Sequence, residues 1–530
     1  MATAGKVVGI RTVINIRPGS PKRTRTRSKI LQHNVPISEA QVRLFRVQVS
    51  LILAKSKCDL CSGTTPRMTR ANPLSSFGPL NIFLKVSSVK RMRPRCCYSL
   101  DFRLILVAAL CLLVQNRLNA QSSGNDPSGA ASTVDWPQFR GPGGQGISNA
   151  RNVPVNWSSS SNIVWRADIP GRGWSSPVLR RGRLYVTTAV MPAENGNPSL
   201  RALCLDASSG KILWDTEVFV HTGSTSIHNK NTHASPTPVV EGDRLYVHFG
   251  HQGTACLDLD GKVLWRNTTL KYSPVHGSGG SPILVDDALI FGCDGAGDPF
   301  VAALNKKSGQ VLWKTPRTLD AKRKFSFSTP LLINANGRSQ VVSPSSGAVY
   351  AYDPKDGREL WQVRYAEGYS VVPRPVFGHG LLFISTAFDS PEVIAIRPDG
   401  QGDVTDTHVA WTLAKGAPKT PSMLLVGDEL YFVSDGGIAS CVDARTGRVH
   451  WAERVSGNYS ASPLLADGRI YLQNEEGIGV VLAPGKTFHE LARNSLGERT
   501  LASCAVTDGA LFIRTEAHLY CVGNPNKQVD

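Results

Sequence analysis

Histidines, acids, cations and aromatics recur at similar places along this chain of 530 residues. Just before a series of Ser-Pro, Thr-Pro or Arg-Pro steps stand Trp174, His228, His233, His276, Lys324, Tyr369, Arg374, Lys419 and Tyr459. Further along each interval come Asp294, Asp435, Glu475, Glu476 and Glu516. Side chains of these types suit an anionic or sugar-like ligand. His228, His233 and His276 also carry nitrogen donors for a metal ion, but no spacing among them defines such a site and no metal is assigned. No nucleophile beside a base can be assembled from residue order, so no catalytic residue is assigned. A histidine beside a strand start is otherwise a solvated loop side chain, or one bonded to backbone. What decides is whether the surrounding elements bring these residues together.

Those elements are repeats. The stretch Asp206-Ala-Ser-Ser-Gly210-Lys-Ile-Leu-Trp214 returns as Asp258-Leu-Asp-Gly261-Lys-Val-Leu-Trp265 and Asn305-Lys-Lys-Ser-Gly309-Gln-Val-Leu-Trp313. It returns again as Asp353-Pro-Lys-Asp-Gly357-Arg-Glu-Leu-Trp361 and Asp443-Ala-Arg-Thr-Gly447-Arg-Val-His-Trp451. Asp or Asn bonds its own backbone and Gly supplies a positive φ, which makes a bulged hairpin turn. Tryptophans in this phase lie at 165, 214, 265, 313, 361, 411 and 451, at intervals of 40–51 residues. Each interval holds an apolar strand after the X-Pro step, a Gly/Asp turn, a Leu-Tyr or Leu-Phe strand and the hairpin. Four short strands per unit is the content of one β-propeller blade.

Counting predicts an all-β, eight-bladed β-propeller over residues 162–522. After the seventh unit, Leu501-Ala-Ser-Cys-Ala-Val, Ala510-Leu-Phe-Ile and His518-Leu-Tyr-Cys-Val supply three strands, and Ile163–Ala167 at the start supplies a fourth. That N-terminal strand would close the ring and remove its free edges. Seven blades is the alternative, if the weak seventh unit merges with its neighbour. No helical period is evident. The propeller gathers the loops before its innermost strands around the axis, so ligand binding is expected there, at His228, His233, His276, Asp294, Tyr369, Arg374, Lys419, Tyr459, Glu475 and Glu476.

The formal charge of +18 comes wholly from residues 1–120, with 21 Lys/Arg against 3 Asp/Glu. The rest is balanced, so charge gives no argument for a nucleic-acid partner. Arg91, Arg93 and Arg95 precede the apolar run Leu104–Val114, and Leu118-Asn-Ala120 suits a cleavage site. Residues 92–120 therefore read as a signal peptide starting at Met92, and 1–91 as a non-native or disordered extension. The apolar run is too short to span a bilayer, and no stable membrane anchor is expected. A Ser/Gly-rich linker, 121–134, leads to an irregular segment, 135–161, expected to lie against the propeller; 523–530 is a tail. Of eleven cysteines, six follow the leader. Cys204, Cys256 and Cys441 share one repeat position, far apart in a closed ring, and read as small buried residues.

The pattern Asp-x-x-x-Gly-(Lys/Arg)-x-x-Trp resembles the tryptophan-docking motif of the pyrroloquinoline quinone (PQQ) repeat family. Trp136-Pro-Gln-Phe-Arg-Gly-Pro142, His228-Asn-Lys-Asn-Thr-His-Ala-Ser-Pro236 and Asn458-Tyr-Ser-Ala-Ser-Pro463 look like secreted, planctomycete-type members. The resemblance covers residues 135–522 and implies that the seven tryptophans are structural, each packing on the neighbouring blade. Family enzymes hold PQQ over Ca²⁺ with carboxylate and amide ligands, and their alcohol dehydrogenases add adjacent half-cystines; here the only adjacent pair, Cys96-Cys97, is in the leader. The family also includes a non-catalytic propeller of the outer-membrane β-barrel assembly machinery. The expectation is therefore an exported, non-catalytic binding or scaffold module with an unidentified protein or small polar ligand as partner. The alternative is a periplasmic PQQ-dependent dehydrogenase with calcium, oxidising alcohols or sugars; no cofactor is established.

Overall fold

A computed structural model describes residues 134–524 except 193–195, 367 and 387, within a compact unit Ser123–Asp530. The expected extension, signal peptide and nearly all of the linker lie outside the described residues. Eight sheets, each with four antiparallel strands, follow one another as the blades of a propeller, and the fourth gains a short fifth strand that pairs in parallel. The first blade runs Val178–Arg180, Arg183–Val190, Ser199–Asp206 and Ile212–Val220, from the axis outward, and the next six repeat this order. The eighth is composite: Ala505–Thr507, Ala510–Arg514 and His518–Gly523 come from the C-terminus, and Ile163–Asp168 from the N-terminus completes it. Eight blades, not seven, close the ring. Helix among the described residues is confined to one four-residue turn, Thr405–His408, and two 3-10 turns.

The hairpin motif explains how neighbouring blades hold each other. Within a blade each tryptophan sits opposite a small residue: Cys204, Cys256, Ala303 and Cys441 face Trp214, Trp265, Trp313 and Trp451. Only a small side chain leaves the indole room on the sheet, and all six cysteines of the propeller are free and buried. Between blades, Nε1 of Trp165, Trp214, Trp265, Trp313 and Trp411 donates at 2.8–3.1 Å to Ala207, Leu259, Lys306, Pro354 and Ala444 O. Each carbonyl belongs to the residue after the Asp or Asn of the next blade's turn. That carboxylate or amide caps its own turn, as Asp206 Oδ1 does for Ser208 and Ser209 N–H. The turn glycine lies under the ring. At Gly309, φ is +72° and a Cβ would meet Trp265 Cε3 at 2.5 Å.

Trp361 departs from the expectation that it docks like the others. The fifth blade has no such turn; its chain detours through Gly402–Asp403, which pairs in parallel with Trp361 and Gln362 of the fourth blade. Trp361 is therefore fully buried, its Nε1 donating to Gln340 Oε1 at 2.6 Å, and Val404 joins Leu360 in the same buried cluster. The seventh blade lacks a tryptophan for a related reason: Ala492 holds that register position, opposite Val481, because the composite eighth blade has no hairpin to dock on.

The irregular N-terminal segment reaches the inner strands of many blades. Trp136 bridges to Leu179 in the first blade, and Val240 N of the second bonds Pro137 O. Gln145 Oε1 accepts from Phe377 N in the fifth blade, and Gly146 and Ser148 bond Leu465 in the seventh. The Trp157 ring then packs on Gly479, and the Trp157 backbone N–H donates to Asn494 Oδ1. This strap crosses the axis.

Candidate functional site

The loops before the innermost strands meet around the axis and enclose a cavity of about 360 Å³. Its wall begins with a collar of hydroxyls. Ser176 N donates to Thr237 Oγ1 of the next blade (3.0 Å), Thr237 N to Ser281 Oγ (2.9 Å) and Ser281 N to Thr329 Oγ1 (3.0 Å). The same link runs from Arg374 N to Ser422 Oγ, Ser422 N to Ser462 Oγ and Ser462 N to Ser503 Oγ, at 2.8–3.0 Å. The X-Pro pattern follows from this geometry: the hydroxyl serves the neighbouring blade, and proline adds no N–H that the tight wall would leave unpaired. In the sixth blade the collar residue is Ser422, two positions after the Thr420-Pro step.

Above the collar the wall is aromatic. Phe325 packs against His276 and Tyr369, each at 5.5 Å between ring centres, and His276 against His228 at 5.5 Å. Tyr369 continues to Phe388 at 6.2 Å; Phe327 and Trp174 also line the cavity. Phe139 of the strap lines it as well. Cations stand over the outer rings, Arg323 over Tyr369 and Lys419 over Phe388, at 4.2 and 4.8 Å. The loop after the first blade leans across the ring. Lys230 Nζ lies 2.7 Å from Glu475 Oε1 of the seventh blade, which also accepts from Ser460 Oγ.

Of the sequence-predicted site residues, His228, His276 and Tyr369 line the cavity, and Lys419 and Glu475 stand beside it. Burial, then His276 and Lys230, lowers the pKa of His228. Five others lie elsewhere. Asp294 is fully buried between the third and fourth blades, in a two-bond ion pair with Arg317 at 2.6 and 2.9 Å, and Ser345 Oγ also donates to it. Arg374 turns away from the cavity into the strap, where its guanidinium donates to Phe139 O and Pro330 O. Tyr459 is buried in an apolar cluster with Val455 and Leu472. His233 packs against His221, 4.3 Å between ring centres, with His251 beyond it; burial takes His233 and His251 down to about 4. Glu476 holds the Asn458 N–H at the seventh blade and is not among the lining residues. Among the described residues no group of three or more His, Cys, Asp or Glu is placed to hold a metal ion.

Sequence reasoning missed Phe139, Phe325, Phe327, Phe388, Lys230 and Asn231. A signal was available in Phe325-Ser-Phe327-Ser-Thr-Pro330, where alternate aromatics precede an X-Pro step and must share one face of an extended chain.

The fold and its docked indoles define a tryptophan-docked, eight-bladed propeller with an axial pocket. The family model described as outer membrane protein assembly factor BamB, a PQQ-type repeat, matches residues 156–343 and 345–518, and the chain belongs to that family. It is 29% identical over 171 residues to outer membrane protein assembly factor BamB of Shewanella oneidensis, covering 29% of this chain and 39% of that protein. It is 25% identical over 359 residues to quinohemoprotein alcohol dehydrogenase ADH IIB of Pseudomonas putida, covering 59% and 49% respectively. The chain thus spans about two fifths to one half of these relatives' length. The crystal structure of BamB from Moraxella catarrhalis superposes with a TM-score of 0.48 at 14% identity, covering 68% of this chain and 96% of that one.

Proposed function

We propose that this protein is a non-catalytic binding module whose axial pocket receives an apolar, aromatic-bearing segment of a partner protein. One observation carries the reading: the pocket is walled by aromatic rings, while its collar hydroxyls already accept from neighbouring blades. A ligand entering it meets ring faces and two imidazoles, and gains mainly by burying apolar surface. The relatives named as assembly factors for outer membrane proteins are in keeping with a protein partner. No helix among the described residues is long and apolar enough to cross a membrane, and the basic-then-apolar leader supports export to the periplasm or beyond.

The dehydrogenase reading requires PQQ and Ca²⁺, and the donor set does not fit them. Calcium takes six to eight oxygens, several from carboxylates. The one acid among the described lining residues is Asp435. Its Oδ2 accepts from Lys419 and Thr420 N–H and its Oδ1 from Thr420 Oγ1, at 2.6–3.1 Å. The amide of Asn231 is likewise committed, to His276 O and Thr232 N.

Peptides selected from a random display library against the purified protein test the proposal. Aromatic-bearing sequences should emerge, and Phe388→Asp, at a lining ring that is 46% exposed, should weaken their binding at least tenfold while the melting temperature stays near that of the parent. Retention of one PQQ per chain after incubation with Ca²⁺, together with dye-linked alcohol oxidation, would overturn it.

A further inference from the structure

The strap motif Trp136-Pro-Gln-Phe-Arg-Gly carries a feature that the binding pocket does not use. Arg140 and Arg374 are each 2% exposed, and no carboxylate pairs with either among the described residues. Arg374 donates only to neutral oxygens: Phe139 O at 2.6 Å, Pro330 O at 3.0 Å and Gln138 Oε1 at 3.3 Å. Arg140 Nη2 donates to Met423 O and, at 2.8 Å, to Gln145 O. Its Nε and Nη1 are buried without any hydrogen-bond partner. Two glycines admit these guanidiniums: a Cβ on Gly144 would meet Arg374 Nη1 at 2.2 Å, and one on Gly146 would meet Arg140 Nη2 at 2.7 Å.

Two like charges buried side by side raise each other's cost, and two unpartnered N–H groups on one of them add to it. Burial, and for Arg140 the charge of Arg374, lowers both to about 9, so both remain cationic at neutral pH. A neutral acceptor would answer the open N–H groups but not the charge. We propose that the strap and the inner strands of the fifth and sixth blades form a buried site for a small monovalent anion of chloride size, bound by Arg140 Nε–H and Nη1–H in the field of Arg374. The anion cross-links the strap to the ring from beneath Phe139, and so holds the pocket floor in place. The site stands independently of what the pocket itself binds.

Bromide scatters anomalously and replaces chloride, so crystals of the protein soaked in bromide locate the site. An anomalous peak within hydrogen-bond distance of Arg140 Nε and Nη1 is expected. In solution, exchanging gluconate for chloride from about 1 to about 100 mM at constant ionic strength should raise the melting temperature by about 2–4 °C. Arg140→Gln should abolish both signals. Bromide found only at surface positions, a water at Arg140 in the soaked crystal, or melting indifferent to chloride each overturns the proposal. Should Arg140→Gln fail to fold, the map and titration of the parent protein still decide.

Discussion

The indole of Trp313 does two jobs at once: it covers the turn of the next blade, and it pairs its N–H with Pro354 O at 3.1 Å. Trp313→Ala should therefore cost about 3–5 kcal/mol in urea unfolding, within the range for large core truncations. Gly309→Ala should cost at least about 1 kcal/mol, because it places a methyl at a positive φ and against the Trp265 ring. Asp294 makes a sharper case. Arg317 is fully buried, and Asp294→Ala strands its charge, for which about 3–5 kcal/mol is expected; replacing both partners with apolar residues should recover much of the loss. Buried histidines add a pH limb. His248 is fully buried against Phe291, and burial takes its pKa to about 3 from 6.5. The unfolded chain binds the proton first, so stability is complete above pH 6.5 and falls as pH drops toward 3, by up to about 1.4 kcal/mol per unit. His248→Gln should flatten that limb in melting curves recorded between pH 4 and 7.

At the scale of elements, the collar and the fifth-blade detour are the parts that a repeat pattern does not spell out. Thr237→Ala removes the acceptor for Ser176 N–H, where both residues are buried in the cavity wall, and should cost about 1–3 kcal/mol. Val404→Asp should place a charge in the buried cluster that holds Leu360, lowering the melting temperature while leaving the docked turns of other blades intact. The detour escaped the sequence reading because it left the spacing unchanged: Trp361 to Trp411 is 50 residues, like the other intervals. The chain exchanged its hairpin for an excursion of similar length. Asp294 was misplaced for a different reason. Its partner Arg317 follows the outermost strand of the same blade, and spacing alone does not show that a carboxylate and a guanidinium converge there. The hydroxyl of each X-Pro step was visible as a pattern, whereas its bond to the neighbouring blade exists only once the ring is formed.

For the molecule as a whole, the arithmetic of three terminal strands plus one initial strand was the most legible feature. It depends only on counting, and edges must be closed whatever the side chains do. Ile163–Asp168 pairs with His518–Gly523 along its length, and Trp165 docks on the turn of the first blade. Removing residues 518–530 should therefore abolish the cooperative unfolding transition instead of shifting it, as read by tryptophan fluorescence against urea. The closure also bears on how the chain is made. Ile163 must wait for a strand about 350 residues later, which at ordinary synthesis speeds is roughly 20–70 s after it leaves the ribosome. The middle sheets can form in turn as they emerge, but the annulus can be sealed only after His518–Gly523 has been made, and until then a holding factor has an unpaired backbone edge and a bare indole to grip.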